Sequence, residues 1–210
     1  VKEGIDIISK NSRLGIDGLI SISGSKDIGV TELGYRIGPR INAAGRTGAS
    51  DLGVRLLTSN SEDEVLAISE RLDNLNKQRQ NIEETVLFEA INNVDNNIAD
   101  KKLNTIPNSI IVSGKSWHLG VLGIVASRLK DKYYRPSFVI SSSEGKLTGS
   151  ARSISGIDIG KLIIKAVNNN LLITGGGHKM AAGFSLKEDT FEKFKDFCEE
   201  EIYSQSNSTT

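Results

Sequence analysis

The chain has 210 residues, of which 38% are hydrophobic and 25% charged, with 26 basic and 26 acidic side chains. This is the composition of a globular protein with one large or two small domains, and no apolar run approaches the roughly 20 residues that a membrane-spanning helix needs. The single cysteine, Cys198, excludes an internal disulfide and a cysteine-rich zinc site, and it favours a reducing, cytoplasmic setting.

The net charge of zero hides an uneven distribution of charge. Residues 101–187 carry 13 basic and three acidic side chains, whereas the rest of the chain carries 13 basic and 23 acidic ones. A basic segment within a neutral chain is typical of a face that binds a polyanion. Lysines and arginines that only solvate a small domain are the alternative, and composition does not decide between the two.

The first 60 residues are rich in glycine. Ten glycines between residues 4 and 53 break any long periodicity, so short helices and loops are predicted for residues 1–60. The chain begins Val1-Lys2-Glu3-Gly4, which is neither an initiator methionine nor a signal peptide. We therefore expect a piece of a longer protein, in which residues 1–60 end a larger domain.

A long helix is predicted for residues 61–100, because neither proline nor glycine occurs between residues 62 and 102. Ser61 and Glu64 have the spacing of a capping box, and apolar residues follow at intervals of three, four and seven. The polar middle at residues 76–81 favours a helix that connects two bodies. Two helices with a break near residue 80 are an alternative. A dimerising coiled coil is a weaker one, since Arg79 interrupts the repeat.

A compact α/β domain is predicted for residues 101–204. Strands are expected at 109–113, 137–141 and 146–152, with a turn at Glu144-Gly145, and helices at 117–133, 158–168 and about 190–203. A glycine-rich loop is expected after Leu171-Leu172-Ile173, and residues 205–210 are predicted to be a polar tail. The predicted fold class is α/β, with a helical part, a long helix and then a domain with a mixed sheet.

The most informative motif is TGGGHKMAAG at residues 174–183. Backbone N–H groups around three glycines can converge on an anion, and the imidazole of His178 would add a side-chain donor. The motif therefore predicts a phosphate site at Gly176, Gly177 and His178. For three glycines alone, however, a tight turn whose histidine caps a helix is the commoner arrangement.

Two further segments carry donors that suit a phosphate. Ser150 and Arg152 project to one face of the predicted strand 146–152, so a hydroxyl and a guanidinium can reach one phosphate. His118 lies where a strand meets a helix N-terminus, which also favours anions. For Ser150 and Arg152 alone, a surface salt bridge and a solvated serine are the commoner arrangement. The neighbouring Trp117 is expected in the core rather than stacked on a base.

The segment GPRINAAGR at residues 38–46 places Arg40, Asn42 and Arg46 among small residues. Such a composition is typical of a segment that follows a nucleic-acid backbone closely. An ordinary loop with exposed arginines is the alternative.

No hydrolytic centre is recognisable in the sequence. A metal-dependent nuclease needs several Asp, Glu or His ligands around its cations, but neither His118 nor His178 has an aspartate close by in sequence. No Asp-His-His, Asp-x-Asp or Gly-x-Ser-x-Gly motif occurs either. We therefore expect neither a catalytic residue nor a metal ligand in this chain.

Taken together, these segments resemble the RecJ exonucleases of the DHH phosphoesterase superfamily, over about residues 1–200. The glycine–histidine motif alone is shared with nano-RNases, cyclic-dinucleotide phosphodiesterases and relatives of alanyl-tRNA synthetase, whereas its combination with the arginine–asparagine segment is much more specific. The segments that carry the resemblance are GPRINAAGR at 38–46, NKQRQNIE at 76–83, WHLGVLGIVASR at 117–128, GSARS at 149–153 and GGHKMAAG at 176–183.

The resemblance implies that residues 1–60 end a DHH catalytic domain, residues 61–100 form a connecting helix and residues 101–204 form a DHH-associated domain. It also implies 5′→3′ degradation of single-stranded DNA in repair and recombination. The Mn²⁺ or Mg²⁺ ions would be held by upstream ligands that are missing here, so this chain alone is expected to be inactive. A single-strand-binding protein or a helicase is implied as a partner.

By the same resemblance, Ser150 and Arg152 would hold a 5′ phosphate, His178 would contact the phosphate near the scissile bond, and Arg46 would contact the strand. Two other functions stay open. One is a phosphoesterase of the same superfamily that acts on short oligonucleotides or cyclic dinucleotides. The other is a noncatalytic module that binds nucleic acid.

Overall fold

The computed structural model describes residues 1–10, 13–25, 27–46, 49–100, 107–143 and 145–207, without the side chains of residues 97–100. These residues pack as two compact units, Val1–Asn81 and Ile82–Thr210. Predictions made for residues 101–106, for Glu144 and for residues 208–210 lie outside the described residues. No helix in the described part is both long enough and apolar enough to cross a membrane.

The first unit is helical, as predicted for residues 1–60. Apolar side chains from several helices form its core, among them Leu19, Ala44, Leu56 and Leu72. The helices are α1 (Lys2–Lys10), α2 (Leu14–Ser23), α3 (Val30–Glu32), α4 (Gly38–Arg46), α5 (Asp51–Thr58) and the first part of α6 (Glu62–Asp100), with a π-helical stretch at Leu33–Ile37.

Residues 38–46 form the helix α4 and not an ordinary loop. Ala43 and Ala44 are buried in the unit, which explains why small residues are needed there. Pro39 has no N–H to donate to the carbonyl four residues earlier, and the wider π-helical turn lies directly before it. The helix therefore tolerates a proline that would otherwise break it.

The long helix α6 is continuous, so the interpretation as two helices with a break near residue 80 is wrong. Ser61 caps it as predicted, because the Ser61 hydroxyl accepts the N–H of Glu64 at 3.4 Å. The reciprocal half of the predicted capping box is wrong. The Glu64 carboxylate instead accepts hydrogen bonds from Arg55 at 2.8 Å and from the Ser59 hydroxyl at 2.7 Å.

Asp73 fastens α6 to α4 within the first unit. Its carboxylate is 7% exposed and lies 2.8 Å from the Arg40 guanidinium and 2.8 Å from the Lys77 ammonium. Burial alone would raise the pKa of Asp73, but the hydrogen bonds from Lys77 and Arg40 outweigh burial and hold the pKa below its ordinary value. The interaction of the Asp73 carboxylate with these two cations therefore stabilises the fold at neutral pH.

We expect Asp73→Asn to lower the free energy of unfolding by about 1 kcal/mol at neutral pH, because an amide accepts weaker hydrogen bonds than a carboxylate. The pKa of Asp73 is lower in the folded state, so the wild type loses this stabilisation as the pH falls through that pKa. The difference between the two chains should therefore shrink in acid. Urea unfolding across a pH series checks this, and a difference that does not change with pH would contradict it.

The second unit contains a five-stranded mixed sheet with helices on both faces, which confirms the predicted α/β class. The strand order is β1-β2-β3-β5-β4, with β1 and β2 parallel and the other neighbours antiparallel. The strands are β1 (Ile110–Lys115), β2 (Ser137–Ser143), β3 (Lys146–Arg152), β4 (Thr174–His178) and β5 (Ala181–Lys187). The helices are the rest of α6, α7 (Leu119–Tyr133), α8 (Ile159–Asn168) and α9 (Phe191–Asn207), with a 3-10 turn at Glu188–Thr190.

Different helices pack on the two faces of the sheet. Helix α7 packs on β1, β2 and β3, whereas α8 and α9 cover the opposite face. On the α8–α9 face, the rings of Phe138, Phe184 and Phe194 pack together with centroids 5.2 to 6.1 Å apart. On the α7 face, Trp117 is buried and its indole N–H donates to Glu89 at 2.6 Å. Trp117 is therefore a core residue, as expected.

Two predictions about the C-terminal half are wrong. Residues 174–178 form strand β4 instead of a loop, because pairing along the whole of β4 with β5 outweighs the low strand propensity of three glycines. Residues 205–207 belong to α9 instead of a polar tail. There the Gln205 side chain accepts the Asp158 N–H at 2.7 Å, which holds the last turn of α9 to the start of α8.

Candidate functional site

One face of β3, β5 and β4 carries four of the residues predicted to bind phosphate. Opposed residues of antiparallel strands direct their side chains to the same face. The register aligns Arg152, Ala181 and His178 in one row, and Ser150, Gly183 and Gly176 in the next. We term these six residues the glycine shelf.

The glycine shelf lies on the same face of the sheet as α7. Helix α7 covers β1, β2 and β3 on this face, and the shelf extends from β3 to β4. A Cβ atom built on Gly123 of α7 would lie 2.7 Å from Arg152 Nη2 and 3.3 Å from Ser150 Oγ. The guanidinium and the hydroxyl therefore meet against the backbone of α7. Ser150 and Arg152 thus lie on one face of β3, as their spacing on a strand predicted.

Glycine leaves the floor of the shelf without side chains. A Cβ atom on Gly176 would meet nothing within 4 Å, and one on Gly183 would meet only the Gly149 carbonyl at 4.0 Å. Both glycines are exposed. A ligand on the shelf would therefore contact the main chain directly and be bordered by Ser150 and Arg152.

Gly177 is not on the shelf, because it faces the opposite side of the sheet. A Cβ atom there would lie 2.2 Å from the Ala181 carbonyl oxygen and 2.7 Å from the Ala182 Cβ. The predicted cluster of converging N–H groups is also wrong, since successive N–H groups of a strand point in alternating directions. The glycines instead provide close packing on one face and a bare surface on the other.

His178 lies at the end of β4, beside a tight turn. Its Nδ1 accepts the N–H of Met180 at 3.2 Å, so the neutral ring carries its proton on Nε2, where it can donate to an anion. Two backbone hydrogen bonds stabilise the turn. The Met180 carbonyl accepts the Ser153 N–H at 3.0 Å, and the Lys179 carbonyl accepts the Ile159 N–H at 3.2 Å. His178 thus caps a turn and not a helix.

His118 is the N-cap of α7. Its Nδ1 accepts the Gly120 N–H at 3.1 Å, and the side chain is exposed. The strand register does not place His118 on the glycine shelf, since it belongs to the loop between β1 and α7. The side chain of His118 therefore satisfies one of the free N–H groups at the start of α7.

The three predicted residues of α4 belong to the first unit, and their environments differ. Arg40 donates to Asp73 at 2.8 Å and to the Arg36 carbonyl at 2.7 Å, so its guanidinium holds α4 in place. Asn42 and Arg46 are one turn apart on α4, and both are exposed. Of these three residues, only Asn42 and Arg46 have exposed side chains.

Among the described residues, no three His, Cys, Asp or Glu side chains lie close enough together to hold a metal ion. Cys198 is fully buried in α9, and burial raises the pKa of its thiol well above the ordinary value. A buried, protonated thiol is a poor nucleophile.

Comparison with known proteins identifies relatives of this chain. Residues 104–204 match the family model of the DHHA1 domain. The single-stranded-DNA-specific exonuclease RecJ of Haemophilus influenzae is 39% identical over 194 residues, which are 90% of this chain and 33% of that protein. The chain spans about a third of the length of the first curated relatives that it matches.

Solved structures give the same result for the fold. The structure of RecJ from Thermus thermophilus in complex with Mg²⁺ superposes with a TM-score of 0.83 at 33% identity, covering 97% of this chain and 30% of that one. The complex of the same protein with Mn²⁺ gives a TM-score of 0.82 at 33% identity, with 97% and 29% covered.

Proposed function

Because the chain belongs to the RecJ family, we propose that it is the part of a single-stranded-DNA-specific 5′→3′ exonuclease that binds the 5′ end of the strand. The observation that carries this proposal is the meeting of Ser150 and Arg152 against Gly123, beside the bare floor of the glycine shelf. A hydroxyl and a guanidinium at one point suit a terminal phosphate, which offers several acceptor oxygens.

The glycine shelf supports binding that does not depend on base sequence. Its donors suit phosphate oxygens, and contacts to phosphates position a strand without reading its bases. Such binding weakens steeply with salt, because each neutralised phosphate releases counterions. An exonuclease that degrades any single strand needs this kind of binding.

The remaining predicted residues have separate roles in the proposal. His178 would contact the phosphate near the scissile bond, and Asn42 and Arg46 would contact the strand through the exposed face of α4. Arg40 would act by fixing α4, because its guanidinium is already paired with Asp73. His118 would act by capping α7, the helix that supports Ser150 and Arg152.

Divalent metal ions would supply the hydrolytic chemistry of the whole exonuclease, since Mg²⁺ or Mn²⁺ can activate water and stabilise a leaving oxygen. The described residues of this chain do not form a site for them. In this proposal the ions are held by residues outside the chain, so the chain alone should show negligible nuclease activity with added Mn²⁺. The same proposal includes a cytoplasmic setting and a role in repair and recombination. It also includes a single-strand-binding protein or a helicase as a partner.

Fluorescence anisotropy tests the proposal with matched single strands that carry a 5′ phosphate or a 5′ hydroxyl, titrated over a salt series. We expect tighter binding of the phosphorylated strand, and affinities for both strands that fall with salt. A nuclease assay with Mn²⁺, with and without chelator, runs beside it. Weak binding that is indifferent to the 5′ phosphate, or chelator-sensitive turnover by the pure chain, would overturn the proposal.

Gly123→Ala should separate binding from stability. The added methyl group would displace the tip of the Arg152 side chain, so we expect about fivefold weaker binding of the phosphorylated strand, within the loss of one charge-assisted hydrogen bond. The free energy of unfolding should stay the same or rise, because alanine favours a helix over glycine by about 1 kcal/mol. Anisotropy and urea unfolding of the same sample measure both.

Gly4→Ala is the matched control, because Gly4 lies in α1 and a Cβ there meets nothing within 4 Å. It should alter stability without altering binding. If Gly123→Ala bound the phosphorylated strand as tightly as this control, Gly123 would have no part in forming the phosphate site.

A further inference from the structure

The face that carries the glycine shelf continues toward the other ends of β3 and β5. Beyond the row of Ser150, Gly183 and Gly176 lies a row formed by Thr148, Ser185 and Thr174. The next row along β3 and β5 pairs Lys146 with Lys187. Residues alternate between faces along a strand, so all four rows share one face.

The pairing of Lys146 with Lys187 is unusual, because like charges directly opposite each other destabilise a sheet. Both side chains are exposed. No acidic side chain in the described part of the chain forms an ion pair with either of them. A polyanion bound along the face would turn this repulsion into attraction.

The hydroxyl row lies between the glycine shelf and the two lysines. The Thr174 and Ser185 hydroxyls are 2.8 Å apart and hydrogen-bonded, and Thr148 is half-buried opposite Ser185. This row has no acidic side chain that would repel a phosphate. Ser185 is buried, but Thr174 is exposed and Thr148 half-buried, so hydroxyls on either side of Ser185 can donate to phosphate oxygens between the two cationic ends.

Lys146 and Arg152 are six residue steps apart along β3, which corresponds to about 20 Å at 3.4 Å per residue. We propose that this face is one continuous track for the backbone of a single strand, with the 5′ phosphate at Ser150 and Arg152 and later phosphates at Lys146 and Lys187. The inference rests on the proposed function and adds to it a direction and a minimum length of strand.

The test compares Lys146→Gln/Lys187→Gln with a matched control, Lys161→Gln/Lys193→Gln. Both variants remove two exposed lysines, but Lys161 and Lys193 lie on α8 and α9, which cover the other face of the sheet. Each is titrated with a 5′-phosphorylated dinucleotide and with a 5′-phosphorylated strand of about 12 nucleotides, which is within the range that small nucleic-acid-binding domains cover.

We expect the Lys146/Lys187 variant to bind the longer strand about tenfold more weakly at low salt. The log–log slope of its salt dependence should be shallower by about 1.4, since each phosphate that a lysine no longer neutralises removes about 0.7. Its affinity for the dinucleotide should not change, because a dinucleotide bound at Arg152 is too short to reach the lysines. The control variant should bind both ligands like the wild type.

Equal losses in the two variants would overturn the track and leave only general electrostatic attraction. Equal losses for the dinucleotide and the longer strand would also overturn it, because the lysines would then act at the 5′ end. If instead the wild type showed no preference for a 5′ phosphate, the proposed function itself would fail. The 5′-hydroxyl strands distinguish that failure from a failure of the track alone.

Discussion

Arg152→Ala should lower the affinity of the chain for a 5′-phosphorylated single strand by about 30-fold. A hydrogen bond to a charged group contributes about 2 kcal/mol, and 1.4 kcal/mol corresponds to a factor of ten. Arg152 Nη1 donates to the Ala151 carbonyl at 2.8 Å, and Nη2 lies beside Gly123, so the guanidinium is already ordered when the phosphate binds. The 5′-hydroxyl strand should lose much less affinity, so the preference for the phosphate should disappear.

Two control variants sharpen this result. Arg152→Lys keeps the positive charge but loses the planar fork of donors, so it should restore the affinity only in part. Lys187→Ala should weaken both strands equally and by only a few-fold, because an exposed lysine acts on the backbone and not on the terminal phosphate. If Arg152→Ala and Lys187→Ala gave equal small losses, binding would be nonspecific and the 5′-end site would be wrong.

Gly177→Ala should lower the free energy of unfolding by about 3 kcal/mol, the upper part of the usual range for overpacking. The new methyl group would lie 2.2 Å from the Ala181 carbonyl oxygen and 2.6 Å from the Ala182 Cα. Both atoms belong to the backbone of β5, which cannot move aside as a flexible side chain can. The pairing of β4 with β5 must therefore be distorted.

The control for Gly177→Ala is the same substitution at the neighbouring Gly176. Gly176→Ala adds the same methyl group to the other face of β4, where nothing lies within 4 Å, so it should change the free energy of unfolding by less than about 0.5 kcal/mol. It should instead weaken strand binding, because the methyl group projects from the floor of the glycine shelf. Urea unfolding of both variants checks the contrast, and similar stabilities would show that β4 tolerates side chains on both faces.

Much of the fold could be predicted from local patterns. The alternation of apolar and polar residues along 146–152 predicts β3 with its observed bounds, and Ser61 predicts the start of α6. Strand β4 could not be predicted in this way. Its glycines have low strand propensity, and what makes them a strand is pairing with β5, which no local pattern contains.

In the candidate site, too, some features follow from a local pattern and others depend on tertiary packing. The pair Ser150 and Arg152 follows from the two-residue period of a strand, so sequence reasoning found it. The row that joins Ser150 to Gly176 depends on the register of three strands, and the role of Gly123 depends on how α7 crosses β3. The only signal for Gly123 in the sequence was a glycine within a helical pattern. No local pattern indicates that Arg40 pairs with Asp73, because the two residues are 33 positions apart in the sequence.

Strand β4 is also the last strand of the sheet, and all five of its residues are exposed. An exposed edge strand is a template on which a second molecule can add a strand, and proteins avoid such aggregation by keeping edge strands short or unattractive for pairing. Three consecutive glycines in a five-residue strand make β4 a poor template. Valine has a higher strand propensity, but at position 176 it would cover the shelf and at position 177 it would clash with β5. The composition of β4 therefore makes this edge of the sheet a poor place for a second molecule to add a strand.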